Sequence, residues 1–260
     1  MILLETERLG IRFGGLAAVW DVDIQVKTGE TIGLIGPNGS GKTTFFNLIT
    51  GIYIPTEGSI LFKGKNLVGL PPHKIAENGI SRTFQNSRLF SGLSVLDNVL
   101  VGMNLLQTTN IFDSVFRRGR VKNETSHSID EALTLIEYFS IDLVRQRYQK
   151  VKDLPQADKK RVEICRAIAS RPKLLLLDEP SAGMNPEETS ELMKDLAKIR
   201  EKEREMSIIV IEHDMRVIKE IARRVVVLDY GGKIFEGTFE EASHNKVVKE
   251  AYLGSGEKSA

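Results

Sequence analysis

Apolar residues in this chain follow two rhythms. Four short runs are almost unbroken: Thr31-Ile32-Gly33-Leu34-Ile35, Leu174-Leu175-Leu176-Leu177, Ser207-Ile208-Ile209-Val210-Ile211 and Val225-Val226-Val227-Leu228. Runs of that length predict strands buried on both faces, as in a parallel sheet. Between them the apolar spacing becomes helical. Thr44-Phe45-Phe46-Asn47-Leu48-Ile49-Thr50 reads as a helix that Gly51 ends. Residues 72–78 read as a short helix closed by Gly79, Ser94 to Val101 as another, and 158–170 as one stopped before Pro172. Ser128-Ile129-Asp130-Glu131 resembles a capping box, opening a helix with Ile129, Ala132, Leu133, Ile136 and Phe139 on one face. Asn185-Pro186-Glu187-Glu188 opens a long helix by N-cap, N1 proline and N3 glutamate. Shorter strands are predicted over 2–7, 22–27, 59–62 and 233–235, with a loop at Arg12-Phe13-Gly14-Gly15. Strands alternating with helices predict an α/β fold whose mainly parallel sheet is covered on both faces. Residues from about 86 to 150 carry no strand pattern, and 105–127 are irregular and polar. That stretch reads as a helical insertion between α/β halves.

Composition narrows the picture a little. The 260 residues are 41% hydrophobic and 27% charged, ordinary for one large globular domain. A formal net charge of +1 gives no global reason to expect nucleic acid or an acidic membrane. The basic run Arg117-Arg118-Gly119-Arg120 reads as a solvated loop. Cys165 is the single cysteine, which excludes an internal disulfide and a multi-cysteine metal site. It falls among helical apolar positions and reads as a packed residue. The N-terminus turns acidic after four residues and does not read as a signal peptide. No stretch approaches the roughly 20 apolar residues that span a bilayer.

The chemistry concentrates at Gly36-Pro37-Asn38-Gly39-Ser40-Gly41-Lys42-Thr43, which fits the phosphate-binding pattern G-x-x-x-x-G-K-[ST]. A predicted strand precedes it and a predicted helix follows, as that pattern requires. Glycines let the backbone bend around phosphate oxygens, and the loop N–H groups and helix N-terminus face negative charge. Lys42 adds a point charge, Thr43 offers a hydroxyl to Mg²⁺, and Thr44 completes the nucleotide-binding set. Asp178 should emerge at the carboxyl edge of the sheet, where it can hold Mg²⁺ through water. Glu179 can orient or deprotonate the attacking water. The bland reading of an Asp-Glu pair is a helix cap or surface charge, and the four-leucine strand argues against it. His213 closes another strand and could contact the γ-phosphate or the water, although a lone histidine is more often structural. The Gln85 amide can ligate Mg²⁺ or water. Phe13, between Arg12 and two glycines, reads as a loop aromatic able to stack on adenine.

Together the P-loop, Gln85, Asp178-Glu179 and His213 resemble the Walker A, Q-loop, Walker B with catalytic glutamate, and switch histidine of ABC ATPases. The likeness runs from about residue 3 to 254. Ser81-Arg82-Thr83-Phe84-Gln85-Asn86, Arg88-Leu89-Phe90, Leu96-Asp97-Asn98-Val99, Ser181-Ala182-Gly183-Met184-Asn185-Pro186 and Glu250-Ala251-Tyr252-Leu253-Gly254 are similar to the branched-chain amino acid uptake branch. The resemblance implies a P-loop NTPase (RecA-like) core with an N-terminal antiparallel β subdomain and an inserted α-helical subdomain. It implies one ATPase domain over 1–254, with core 1–85 and 160–254, a helical part at about 86–159, and a flexible tail at 255–260. It also implies an ATP- and Mg²⁺-dependent ATPase at the cytoplasmic face of the cell membrane. Such a subunit pairs head to tail with a second ATPase subunit, as a heterodimer or a homodimer. The pair drives two transmembrane permease subunits served by an extracytoplasmic binding protein. Amide or urea uptake, lipid export, and an ABC ATPase outside transport are the alternatives. A single P-loop and the lack of a long heptad run speak against the last.

One stretch departs from the family. The signature reads Leu-Ser-Gly-Gly-Gln, or Leu-Pro-Tyr-Gly-Gln in this branch, and here stands Leu154-Pro155-Gln156-Ala157-Asp158. The family's second glycine lets a backbone N–H approach the partner's γ-phosphate. The Ala157 methyl narrows that approach and would be strained at a positive φ. Asp158 brings a carboxylate near a triphosphate, a repulsion on the order of 4 kcal/mol at ~4 Å and an effective dielectric near 20. Lys159-Lys160 can offset it. Two expectations follow: a subunit that works best beside a second, standard one, or a transporter that tolerates the changes.

Overall fold

The unbroken apolar runs become the centre of a sheet, because only a strand covered on both faces can use them. The computed structural model describes residues 1–85, 88–106 and 118–254, without the side chains of 105–106, 118–123 and 254. The predicted tail at 255–260 lies outside the described residues. The chain divides into two units, Met1–Arg82, Lys173–Pro180 and Glu203–Ala260 forming the first, Thr83–Pro172 and Ser181–Lys202 the second.

The first unit holds the strands. In chain order they are β1 (Ile2–Phe13), β2 (Leu16–Lys27), β3 (Thr31–Ile35), β4 (Glu57–Phe62), β5 (Lys65–Asn66), β6 (Ile80–Arg82), β7 (Leu174–Asp178), β8 (Ser207–Ile211), β9 (Arg224–Asp229) and β10 (Gly232–Gly237). An antiparallel sheet has the order β2-β1-β4-β5, and a mixed sheet the order β10-β9-β3-β8-β7-β6. In the mixed sheet only the β9–β10 pairing is antiparallel. Every residue of β3, β7 and β8 is buried. This is the expected P-loop NTPase core with its N-terminal antiparallel subdomain.

β1 and β2 are longer than the sequence pattern predicts. They pair as a hairpin, so Arg12 and Phe13 end a strand and only Gly14-Gly15 turn. Register shifts near Arg8 (φ 46°) and Asp21 (φ 50°) break the alternation that would have revealed them.

The helix Lys42–Ile49 lies in the core of this unit. Phe45, Phe46, Leu48 and Ile49 pack in one cluster with Leu4 and Val22 of the antiparallel sheet and Leu34, Leu176 and Ile209 of the mixed sheet. Eight residues are too few to hold a helix in water. Burying each phenylalanine contributes about 1.5–3 kcal/mol, so tertiary packing fixes this helix and the loop before it.

The second unit is helical in its described elements. Its longest helix, Arg118–Phe139, starts ten residues before the predicted capping box, so Ser128 lies inside it. Glu131 instead pairs with Arg171. Of the basic run, Arg117 lies outside the described residues, and residues 118–120 are helical rather than looped. Cys165 is fully buried in the helix Gln156–Ala169. Burial, helped by Asp195, pushes its thiol well above the usual range, as suits a packed residue and not a nucleophile. Among the described residues no helix is long and apolar enough to cross a membrane.

Candidate active site

The phosphate-binding loop joins β3 to the helix Lys42–Ile49. At Gly36 (φ 150°) a Cβ would fall 2.1 Å from the Leu228 carbonyl oxygen, so no side chain fits. Gly41 (φ 99°) caps the helix, and a Cβ there would meet the Ala18 carbonyl at 2.6 Å. The cap has no side-chain hydrogen bond and the first turn no acidic residue. Unpaired helical N–H groups with positive partial charge therefore face outward. Lys42 is 6% exposed, and its Nζ donates to the carbonyls of Gly36 and Pro37, both at 2.8 Å. Burial pulls this ammonium below the usual lysine range, and the charges of Glu179 and Asp178 partly oppose it. A cavity of about 290 Å³ opens beside the loop, lined by Gly39 to Thr44 together with Leu16, Ala18, Tyr230 and Gly231. A triphosphate fits this donor set: main-chain N–H groups, one ammonium, and no carboxylate in the first turn.

Three further predicted residues lie at the carboxyl edge of the same sheet. Asp178 pairs in register with Ile211, and Ile211 with Leu34, two residues before Gly36. Asp178 ends β7 and is 1% exposed. Glu179 takes a positive φ of 48°, its N–H donating to the Ile211 carbonyl at 2.9 Å. Its Oε1 lies 2.9 Å from His213 Nε2, after β8. In the tautomer with Nε2 protonated, the imidazole donates to this carboxylate, which as an anion only accepts. A base held by a histidine beside a phosphate-binding loop can orient and deprotonate a water.

Some of the surroundings escaped the sequence. Leu16 and Ala18 line the cavity, brought there by the β1–β2 pairing that the chain's local pattern does not announce, and Tyr230 joins them from the turn between β9 and β10. Phe13 does not line it; it is 46% exposed and packs edge-on against Tyr53, ring centroids 5.2 Å apart. Arg82 donates from Nη2 to Asp178 Oδ2 at 2.7 Å. It stands in the quoted Ser81–Asn86 stretch, yet 96 residues separate it from Asp178, and no local signal links them.

Gln85 and residues 154–158 belong to the second unit. The Gln85 carbonyl accepts from Lys160 Nζ at 3.2 Å. Leu154 is buried and Pro155 caps the helix Gln156–Ala169. Ala157 is in the first turn and has no positive φ, so the feared backbone strain does not arise. Asp158 Oδ1 accepts from Arg161 Nη1 at 3.2 Å. The offsetting cation is thus Arg161, whose Nη2 also reaches Glu191 at 2.9 Å. Lys160 is buried and turned to the carbonyls of Phe84 and Gln85.

Residues 19–182 match the family described as ABC transporter. The chain is 40% identical over 252 residues to the high-affinity branched-chain amino acid transport ATP-binding protein LivG of Escherichia coli (strain K12), covering 97% of this chain and 98% of that one. It is 38% identical to the corresponding protein BraF of Pseudomonas aeruginosa, with the same coverage. A crystal structure of the ADP conformation of MJ1267, an ATP-binding cassette of an ABC transporter, superposes with a TM-score of 0.82 at 28% identity, covering 98% of this chain and 99% of that one.

Proposed function

The chain belongs to the ABC transporter family and is an ATPase, and from that premise we propose that it energises an importer of branched-chain amino acids. The observation that carries the catalytic reading is the Glu179–His213 contact of 2.9 Å at the sheet edge that also bears the phosphate loop. Likeness to LivG and BraF over nearly the whole length supports the substrate class.

In this reading the domain spans 1–254, with core 1–85 and 160–254 and a helical part at about 86–159. Residues 36–44 bind the phosphates of ATP, and Phe13, exposed outside the loop cavity and packed edge-on against Tyr53, is proposed to stack on the base. Lys42 turns its ammonium from the loop carbonyls to the phosphate oxygens. Thr43 and Gln85 and, through water, Asp178 would hold Mg²⁺, whose charge would offset that of the β- and γ-phosphates. Glu179 takes the proton of the attacking water, and His213 holds that carboxylate and senses the γ-phosphate. Residues 154–158 serve the nucleotide of a second ATPase subunit. The pair sits on two permease subunits at the cytoplasmic membrane face, supplied by an extracytoplasmic binding protein. Purification from solubilised membranes should bring down a polytopic permease, and its binding protein should take leucine, isoleucine or valine. A soluble partner alone, or a binding protein selective for amides or urea, overturns the assignment.

The partner subunit is proposed to be different from this one. Restoring the signature by Ala157→Gly with Asp158→Gln should raise ATP turnover of the assembled transporter several-fold, since a glycine reopens the approach to phosphate. An unchanged rate means that the departure is tolerated, and a homodimer then serves equally well. The Arg161 pairing already removes much of the repulsion expected of Asp158, so the gain should come mainly from position 157.

A further inference from the structure

Arg82 has no part in the mechanism above, yet it is among the most enclosed charges of the first unit. Its side chain is 5% exposed and that of Asp178 2%. One end of the guanidinium, Nη2, donates to Asp178 Oδ2 at 2.7 Å. The other, Nη1, donates to Asn47 Oδ1 at 2.7 Å and reaches Thr50 Oγ1 at 3.4 Å. The Phe46 ring lies under it, 5.3 Å from the guanidinium carbon to the centroid. Asn47 follows Thr43 by four residues, which puts both on one face of the Lys42–Ile49 helix, and Thr50 is the C-cap of that helix.

The guanidinium is planar and rigid, so contacts at its two ends fix a distance between the groups they hold. One end grips the carboxylate assigned to Mg²⁺. The other grips the helix face that carries the hydroxyl assigned to Mg²⁺. We propose that Arg82 is a positioning residue that clamps Asp178 to the Thr43 face of the loop helix and so sets the Mg²⁺ affinity of the site. The proposal rests on the reading of Asp178 and Thr43 as metal-holding residues. Arg82 does not touch the metal; it holds the carboxylate by one oxygen and fixes its orientation, as the hydrogen-bond partners of metal-site carboxylates do elsewhere.

The test compares ATP binding to the purified full chain in Mg²⁺ and in EDTA, with a fluorescent ATP analogue, and the Mn²⁺ spectrum of each complex by electron paramagnetic resonance. Arg82→Lys should weaken metal affinity by about tenfold or more, since a compact ammonium cannot span both arms, and leave ATP affinity in EDTA within about twofold. Asn47→Ala removes the shorter contact of the helix arm and leaves the longer one to Thr50, so it should give a smaller loss in the same direction, with a broadened Mn²⁺ spectrum. Asp178→Asn serves as the reference. If Asp178→Asn loses the metal dependence while both other variants keep it, the clamp is wrong and the metal assignment stands. If Asp178→Asn also behaves as the unaltered chain, the metal assignment falls and the clamp with it. A tighter metal affinity in Arg82→Lys makes Arg82 a competitor of the metal and likewise overturns the proposal.

Discussion

Glu179→Gln should lower ATP turnover by about a thousandfold while leaving ATP affinity within about twofold. The change keeps size and shape and removes one property, the capacity to take a proton. A positioned general base contributes typically 10²–10⁴-fold, so losing it should fall in that range. The amide oxygen can still accept from His213 Nε2, which lies 2.9 Å from Glu179 Oε1, so the histidine should keep its place. The backbone should also tolerate the change. Glu179 stands at φ 48°, and glutamine meets the same steric cost there as glutamate. Steady-state phosphate release checks the rate and equilibrium binding the affinity. A loss of less than tenfold would show that another group takes the proton. A loss shared by turnover and affinity would mean that the substitution disturbed the loop.

The second large effect concerns the ammonium. Lys42→Met should weaken ATP binding at least a hundredfold, because charge-assisted hydrogen bonds contribute about 1.5–3 kcal/mol each and the ammonium would make more than one to the phosphate oxygens. The same variant should not be less stable than the unaltered chain near neutral pH. Burial holds the folded Lys42 below its ordinary value of 10.5, the opposing charges of Glu179 and Asp178 notwithstanding. The unfolded chain then binds the proton more tightly than the folded one. The cost to folding is fully present below the folded value and is relieved as pH rises from there towards the unfolded value. Thermal melts of the two proteins between pH 7.5 and pH 10 check this: any advantage of the methionine variant should shrink with rising pH. A variant that is markedly less stable at pH 7.5 would show that the bonds to Gly36 and Pro37 outweigh the burial cost.

What could be read from the residues followed their range along the chain. The phosphate loop announces itself because its glycines, lysine and flanking apolar runs are contiguous. Asp178 and Glu179 were legible for a like reason, since four leucines fix both the strand and its end. The hairpin of β1 and β2 was not, because bulges at Arg8 and Asp21 shift the inward face partway along each strand. The helix Arg118–Phe139 was underestimated because its first turns are polar, and a capping box at Ser128 offered a plausible but wrong start. Arg82 was visible as a letter in a familiar stretch and silent as a partner of Asp178, because that pairing exists only once β6 lies beside β7. The signature shows the opposite failure. Position 158 was read for its charge, and the charge that answers it stands one helical turn on, at Arg161, not at the two lysines beside it.

The helix that follows the phosphate loop has no foundation of its own; Phe45 and Phe46 hold it among side chains drawn from both sheets. Folding and catalytic alignment therefore share one hydrophobic seam. Variation in that seam should be constrained, because a change of packing around Phe45 and Phe46 should be felt at the loop proposed to bind the phosphates. Selection on this enzyme's activity should consequently act also on core residues distant from the loop, drawn from both sheets.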